Sequence, residues 1–292
     1  MMDHRNNKMG WLFTSPYLLY SLIFFFGPLI WSFFLSVTDW NLIAPTFNLV
    51  GIENFANALK SPSVHSAFWV TYKFMIIFVP IVTVLATAVA VLVHGLPRFK
   101  SLFLIGFFLP YLSSGVVSSL IAKGLLSYTS PMNVFLRKMG LDIDWLGTPL
   151  SALGIVGLIL AWKFTGYYAL ILTSGLESID KEVYEAAAID GVTDRQRFWR
   201  ITLPLLYPSL YTTLILAFGV TFGIFTEVYQ LTGGGPNNAT NTWQMEIFKQ
   251  AFTNLQAGYA SAVALLASVA TFISIFIIRK FLEIWGKRNG WV

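Results

Sequence analysis

Side chains able to carry out chemistry are few and scattered in this sequence. The chain contains three histidines, His4, His65 and His94, and no cysteine. Without cysteine, thiolate metal ligands and thiol catalysis are excluded, and none of the histidines belongs to an H-E-x-x-H pattern. A nucleotide-binding loop of the form G-x-x-x-x-G-K-[ST] does not occur either. We therefore predict no metal site, no catalytic residue and no cofactor bound by this chain, which is not expected to be an enzyme.

The composition indicates that lipid is the solvent of this protein. Hydrophobic residues make up 56% of the 292 positions and charged residues only 11%, and the mean hydropathy is +0.67. One soluble core does not need that much apolar surface. The net charge of +5 comes from basic residues that are scattered and form no stripe, so nucleic acid is not an expected partner.

Six apolar runs are long enough to cross a bilayer, which takes roughly 20 helical residues. They predict an all-α, polytopic membrane protein with a single transmembrane domain over 1–292. Because six crossings are an even number, both termini lie on the same side. With the N-terminus placed inside, twelve of the nineteen lysines and arginines fall on the inner side, counting Arg279 and Lys280 at the inner end of the sixth span, and four on the outer. This asymmetry places both termini in the cytoplasm. The predicted spans are Trp11–Val37, Ala67–Val93, Ser101–Leu126, Leu150–Gly175, Leu205–Gln230 and Tyr259–Leu282, with kinks expected at Pro28, Pro80, Pro110 and Gly219.

The inner loop 176–204 is the only one whose sequence predicts two short helices. Asp180 is placed to cap a first helix, Lys181 to Ile189, and Gly191 supplies a left-handed stop. Thr193 then begins a second helix, with Gln196 at the capping-box spacing. Such a helical pair is suited to transmit movement as a unit.

This loop also carries a family resemblance. Glu185-Ala186-Ala187, Gly191, Ile201 and Leu203-Pro204 match the EAA loop of permease subunits of bacterial binding-protein-dependent ABC importers. One departure is Asp180, which stands where many members of that family have proline. The similarity to the carbohydrate-type permeases, related to the maltose and glycerol-phosphate importers, extends to Tyr17, Phe26, Pro28, Ser32, Gly51, Asn54-Phe55, Phe108-Leu109-Pro110, Trp145-Leu146, Trp162, Gly166, Thr232 to Pro236 and Gly258 to Ala262.

The resemblance implies the fold, the partners and the place of the protein. It implies the six-helix permease fold of type I ABC importers, in the cytoplasmic (inner) membrane of a bacterium. The expected partners are a second permease subunit, usually in a heterodimer, two ATPase subunits that hold ATP and Mg, an extracytoplasmic solute-binding protein and a sugar-like solute. The residues implied to couple the chain to an ATPase subunit are Glu185, Ala186, Ala187, Asp190 and Gly191. A salt bridge from Glu185 to Arg195 or Arg197 within the loop is the plainer alternative.

Polar residues within the predicted spans need a reason, since a charge at mid-bilayer costs about 2.5 to 3.5 kcal/mol on insertion scales. Lys163 is expected to be the deepest, whereas Lys73, Lys123 and Glu227 lie nearer the outer ends, where the lysines can snorkel. A solute pathway and simple packing between helices both remain open for this set. The candidate pathway residues are Trp162, Lys163, Tyr167, Thr226, Glu227, Tyr229 and Gln230.

The outer segment 233–242 is rich in glycine and is expected to be mobile or shaped by a partner. Its candidate docking residues for the binding protein are Gly234, Gly235, Pro236 and Asn237, with a solvated turn as the alternative.

Two other classes of function remain as alternatives. An ion-coupled secondary transporter would need several embedded acids or histidines, and only Glu227 offers itself. A membrane assembly scaffold would be distinguished by whether a purified complex with ATPase subunits consumes ATP.

Overall fold

The computed structural model describes residues 4–291, and these form helices joined by connections of varied length, with no β-strand among them. Three π-helical stretches, Leu22–Phe26, Phe198–Thr202 and Lys249–Thr253, join α-helices to one another or to a turn. The α-helices are α1 (His4–Ser21), α2 (Gly27–Leu35), α3 (Glu53–Lys60), α4 (Pro62–His94), α5 (Lys100–Leu112), α6 (Gly115–Leu126), α7 (Pro131–Lys138), α8 (Pro149–Glu177), α9 (Lys181–Ile189), α10 (Asp194–Arg197), α11 (Leu203–Leu205), α12 (Tyr207–Gly223), α13 (Thr226–Leu231), α14 (Trp243–Phe248) and α15 (Ala257–Arg288).

The long helices confirm a polytopic, all-helical membrane protein. Four continuous stretches in the described residues are long and apolar enough to cross a bilayer: Met9–Leu35, Pro62–His94, Pro149–Glu177 and Ala257–Arg288. Two bent pairs, Lys100–Leu112 with Gly115–Lys138 and Asp194–Leu205 with Tyr207–Gly223, bring the number to six if each counts as one span. The first, second, fourth and sixth predicted spans therefore fall on continuous helical stretches, and the other two do not.

The third predicted span, Ser101–Leu126, is broken rather than kinked at Pro110. Pro110 lies inside α5, which continues to Leu112. The break follows at Ser113 and Ser114, whose ψ angles of 146° and 137° are extended. The Ser113 hydroxyl donates to the Pro110 carbonyl over 2.6 Å, a local bond that competes with the helix ladder. The axes on the two sides differ by 94°.

The fifth predicted span, Leu205–Gln230, is also interrupted, and Gly219 is not the point where it ends. Helix α12 runs through Gly219 to Gly223, after which the chain turns into α13. The interruption frees two carbonyls, and buried donors bind both of them. The Trp243 indole donates to Phe222 O over 2.8 Å and the Thr242 hydroxyl donates to Ile224 O over 3.2 Å. Satisfied carbonyls of this kind make a broken helix tolerable in lipid.

The described residues form two compact units. One contains the residues up to His65 together with Glu246–Ser268, and the other contains Ser66–Met245 together with the residues from Val269 onward. The single domain over 1–292 stays a prediction.

In the larger unit, helix α8 packs against α5, α12 and α13. Phe74 and Phe78 of α4 and Tyr168 of α8 are among its fully buried side chains. Gly166 permits the closest approach, because a Cβ built there would lie 2.0 Å from the carbonyl oxygen of Phe107 on α5. Only glycine fits at this crossing.

In the smaller unit, the segment after α2 folds onto the start of α15. Buried Asn54 donates from its amide to the carbonyls of Ser36 and Thr38 over 2.9 and 2.8 Å. Gly258 lies against this segment after α2, since a Cβ there would be 2.0 Å from Thr38 O. Its N–H donates to Trp40 O over 3.0 Å. Two positions where the sequence resembles the carbohydrate permeases, Asn54 and Gly258, thus hold one connection in place.

Candidate coupling helix and polar site

The first helix of the inner loop has the predicted bounds. Helix α9 runs from Lys181 to Ile189, and of its nine residues only Ala187 is buried. Tyr184, which is half-buried, places its hydroxyl 3.3 Å from that of Thr202. Glu185 and Ala186 are exposed. One face of α9 therefore rests on the protein while the other is free to meet a partner.

The end of α9 confirms the left-handed stop predicted for Gly191. Its φ of +69° is left-handed, a conformation that glycine adopts without a Cβ penalty. The Gly191 N–H donates to Ala188 O over 3.2 Å and the Val192 N–H donates to Ala187 O over 3.0 Å. These two bonds form a Schellman motif, which satisfies the last carbonyls of the helix.

The caps of the two loop helices differ from one another. Asp180 has the extended backbone of an N-cap, but its side chain makes no capping hydrogen bond, so this part of the prediction was wrong. Thr193 and Gln196 form the predicted capping box, with the Gln196 N–H donating to the Thr193 hydroxyl over 3.4 Å and the Thr193 N–H donating to the Gln196 side chain over 3.0 Å. The second helix then proceeds through α10, the π-helical stretch and α11.

Glu185 makes no ion pair that the structure records among the described residues. Arg197, one of its two alternative partners, pairs instead with Asp194, at 2.8 Å between Nη2 and Oδ1. The intraloop salt bridge proposed for Glu185 is thus not observed. A cavity of about 490 Å³ lies under the segment and is lined by residues that include His94, Tyr184 and Thr202.

A buried ion pair joins α8 to α13. Lys163 Nζ donates to Glu227 Oε1 over 2.8 Å, and the two side chains are 10% and 9% exposed. Gly115, the first residue of α6, faces the pair, since a Cβ there would lie 2.9 Å from Glu227 Oε1 and 3.2 Å from Lys163 Nζ. The sequence placed Glu227 nearer the outer end than Lys163. In the structure the turn between α12 and α13 brings the Glu227 carboxylate into contact with the Lys163 ammonium, and the depth of the two residues in the membrane stays a prediction.

The other candidate pathway residues lie in different surroundings. Thr226 lies beside the ion pair, since its methyl carbon Cγ2 would be 3.1 Å from the same Cβ on Gly115. Tyr167 stacks on Tyr111, with ring centroids 4.6 Å apart. Trp162 is 54% exposed and lines an apolar cavity of about 480 Å³ beside α5.

At the end of α13, two further candidates are more exposed. The carbonyl of Gln230 accepts a hydrogen bond from Lys123 Nζ over 3.3 Å, so Lys123 has a polar partner at this end. Tyr229 is exposed and stacks on Phe225, with ring centroids 5.4 Å apart. The structure thus gathers Lys163, Thr226 and Glu227 at one place and leaves the remaining candidates elsewhere. Their role in a pathway stays a prediction.

The segment 233–242 is held by hydrogen bonds within itself and to Thr232, and the expectation that it is mobile or shaped by a partner stays a prediction. The Thr240 hydroxyl donates to Gly235 O over 2.8 Å and lies 2.7 Å from the Thr232 hydroxyl. Thr240 is fully buried. Positive φ angles at Gly233, Gly234 and Asn237 turn the backbone around these threonines. Docking at Gly234, Gly235, Pro236 and Asn237 stays a prediction.

Sequence reasoning found the charged residues of the buried pair but missed that they pair with each other and that Gly115 makes room for them. The available signal was one base and one acid, each within an apolar span. No group of three or more potential metal ligands is found among residues 4–291.

Several apolar helices, two of them broken, and a short exposed helix between the fourth and fifth define a polytopic membrane protein. Residues 74–283 match the family model of the binding-protein-dependent transport system inner membrane component, and the chain belongs to this family. The resemblance read from the loop is thereby confirmed.

Three similar proteins carry names that mention sugars or a polyol phosphate. The multiple sugar-binding transport system permease protein MsmF of Streptococcus mutans is 31% identical over 94% of this chain and 97% of its own. The trehalose/maltose transport system permease protein MalF of Thermococcus litoralis is 30% identical over 92% and 91%. The sn-glycerol-3-phosphate transport system permease protein UgpA of Agrobacterium fabrum is 29% identical over 95% and 96%.

Solved structures support the fold. A chain of a bacterial ABC transporter involved in the import of the acidic polysaccharide alginate superposes with a TM-score of 0.81 at 20% identity, over 96% of this chain and 97% of that one. A second structure, of the alginate transporter in complex with an alginate pentasaccharide-bound periplasmic protein, gives 0.83 at 20% identity over 97% and 98%. The fold is therefore that of an ABC importer permease.

Proposed function

We propose that this chain is one of two transmembrane subunits of an ATP-driven importer for a sugar or sugar-like solute, coupled to an ATPase subunit through α9. The observation that carries the proposal is the exposed helix α9, with the EAA residues at the family spacing and a Schellman turn at Gly191. Family membership supplies the transport class. The names of the relatives support the sugar-like solute.

The geometry of α9 suits it to enter a cleft on another protein. Glu185 and Ala186 are exposed and Ala187 alone is buried, so a narrow helix presents the Glu185 carboxylate, for which no ion pair is recorded among the described residues, to a partner. This carboxylate can accept a charge-assisted hydrogen bond, which is stronger than a neutral one. Ile189 is 87% exposed and adds apolar surface that a partner can bury. Asp190 and Gly191 determine the direction in which the chain leaves this helix.

Movement of α9 has a short route to a membrane span. The chain continues from Gly191 through α10, the π-helical stretch Phe198–Thr202 and α11 directly into α12. The contact between Tyr184 and Thr202 ties α9 to this stretch. The cavity of about 490 Å³ next to it leaves space for a small rotation. A displacement of α9 by a partner would thus be transmitted to α12 through this one segment.

The remaining components belong to partner chains. Two ATPase subunits would hold ATP and Mg, a second permease would complete the pathway, and an extracytoplasmic binding protein would deliver the solute at the segment 233–242. The alginate complex with a periplasmic protein supports such delivery. The inner membrane placement follows from the family description, and termini on the cytoplasmic side follow from the distribution of basic residues.

For the pathway itself, the buried pair of Lys163 and Glu227 with Thr226 is the part of the predicted set that the described geometry supports best. It concentrates polar atoms at the break between α5 and α6, where Gly115 leaves room. Trp162, Tyr167, Tyr229 and Gln230 remain proposed contributors.

ATP hydrolysis by the reconstituted importer tests the coupling. Glu185→Lys reverses one of the exposed charges on α9, whereas the control Glu177→Lys makes the same change at an exposed position at the end of α8. We expect Glu185→Lys to abolish the ATPase stimulation by loaded binding protein, with the chain still inserted, and Glu177→Lys to retain it. Equal stimulation in both variants and the wild type would exclude a coupling role for Glu185.

A further inference from the structure

An apolar groove of about 830 Å³ lies on the larger unit beside the segment that follows α10. Its walls come from the last turns of α4, the start of α12 and the end of α15, together with the π-helical stretch. The side chains that define it include Val84, Leu92, Trp199, Leu214 and Trp285. Val84 and Leu92 are largely exposed.

Polar atoms are nearly absent from the walls of this groove. Thr83 and Thr87 contribute the hydroxyls of α4, but each donates to its own helix, to Val79 O and Thr83 O, over 2.7 Å. The threonines therefore present methyl groups. A sugar needs hydrogen-bonding partners along its path, so this groove does not suit the transported solute. It suits a hydrocarbon chain.

Three aromatic rings close one end of the groove. Trp285 and Trp291 make an edge contact with ring centroids 4.7 Å apart, and Tyr207 lies 5.5 Å and 5.6 Å from them. The Tyr207 hydroxyl donates to Leu282 O over 2.5 Å. Tryptophan and tyrosine concentrate at the level of lipid headgroups. The ring cluster thus marks where the groove meets the polar interface.

A cationic cavity continues from this end. Tyr207 also lines a second cavity, of about 320 Å³, with Tyr211, Arg279, Glu283 and Lys287. The carboxylate of Glu283 forms salt bridges with both Arg279, at 2.8 Å, and Lys280, at 3.2 Å. The structure records no ion pair for Lys287 among the described residues. The cavity therefore keeps a positive charge that its own acid does not neutralise.

From this continuity of an apolar groove, an aromatic rim and an unneutralised cationic cavity we infer that the chain binds an anionic glycerophospholipid. One acyl chain lies in the groove between α4 and α12. The phosphate-bearing headgroup lies at Lys287 and Arg279. Basic pockets between membrane helices are suited to such headgroups, and the proposal does not depend on coupling through α9.

Native mass spectrometry of the intact purified complex tests the inference. The complex is equilibrated with equal amounts of phosphatidylglycerol and phosphatidylcholine of the same acyl chains, and the ratio of retained lipids is measured. A basic residue near the headgroup contributes roughly 1 kcal/mol to the binding of an anionic lipid, so its removal is expected to lower the preference for phosphatidylglycerol over phosphatidylcholine about fivefold. We expect Lys287→Gln to lower the retained phosphatidylglycerol by that factor. Lys138→Gln, at an exposed lysine of α7, is the control and leaves the ratio unchanged.

A second variant tests the groove independently of charge. Val84→Trp places a large side chain in the groove at a position that is already exposed, and it is expected to lower retention of both lipids. Equal retention of the two lipids by the wild type, or equal ratios for Lys287→Gln and Lys138→Gln, would overturn the inference. So would a cross-link from Val84→Cys, the sole thiol in a chain without cysteine, to the partner permease in the intact complex.

Discussion

Removing one member of the buried ion pair should destabilise the protein far more than removing both. In Lys163→Met the carboxylate of Glu227 would lose its partner at 2.8 Å while its side chain remains 9% exposed. An unpaired buried charge costs about 3–5 kcal/mol, whereas replacing the whole pair by apolar groups of similar size is close to neutral. We therefore expect Lys163→Met to lower the free energy of unfolding by about 3–5 kcal/mol.

The assay is a reversible unfolding titration in mixed micelles, applied to the wild type, Lys163→Met, Glu227→Met and the double variant. The double variant should lose less than about 1 kcal/mol, so the coupling between the two sites should be large. If the double variant loses as much stability as the two single variants together, the reasoning is refuted, because the two charges then do not stabilise each other. The four measurements do not require transport activity.

Two further predictions concern single residues. Gly166→Ala should cost about 1–3 kcal/mol of unfolding free energy, because its Cβ would meet Phe107 O at 2.0 Å. In the same unfolding titration the control Gly154→Ala, also on α8 and open to space, should cost nothing, and equal losses would contradict the close crossing. Thr193→Ala should remove the capping box and speed hydrogen exchange of the α10 amides about fivefold, from about 1 kcal/mol per cap. Thr193→Ser should keep the cap, and faster exchange in both variants would show that the hydroxyl is not what holds this turn.

The bounds of α9 could be predicted from sequence because the signals at its ends are local. Gly191 and the Thr193–Gln196 pair act within one turn of their own positions, so spacing alone places the helix ends. Asp180 shows the limit of such reasoning. It occupies the N-cap with an extended backbone, but which rotamer its side chain takes depends on surroundings that the sequence pattern does not show.

The broken spans could not be predicted because hydropathy does not report backbone direction. Ser101–Leu126 and Leu205–Gln230 read as continuous apolar runs, yet each contains a turn that distant groups make tolerable. The donor to Phe222 O is Trp243, twenty-one residues away, and no local pattern indicates it. Pairing of Lys163 with Glu227 has the same origin, since it joins residues 64 positions apart.

Cross-linking from α9 tests the central claim most directly. Because the chain has no cysteine, Ala186→Cys introduces a single thiol on an exposed face of this helix. A short bifunctional reagent is applied to the reconstituted importer, and the linked peptide is identified by mass spectrometry. We predict a link to the ATPase subunit and protection from reagents that reach only the extracytoplasmic side. Labelling from that side, or no link to the ATPase subunit in the assembled importer, would contradict the account.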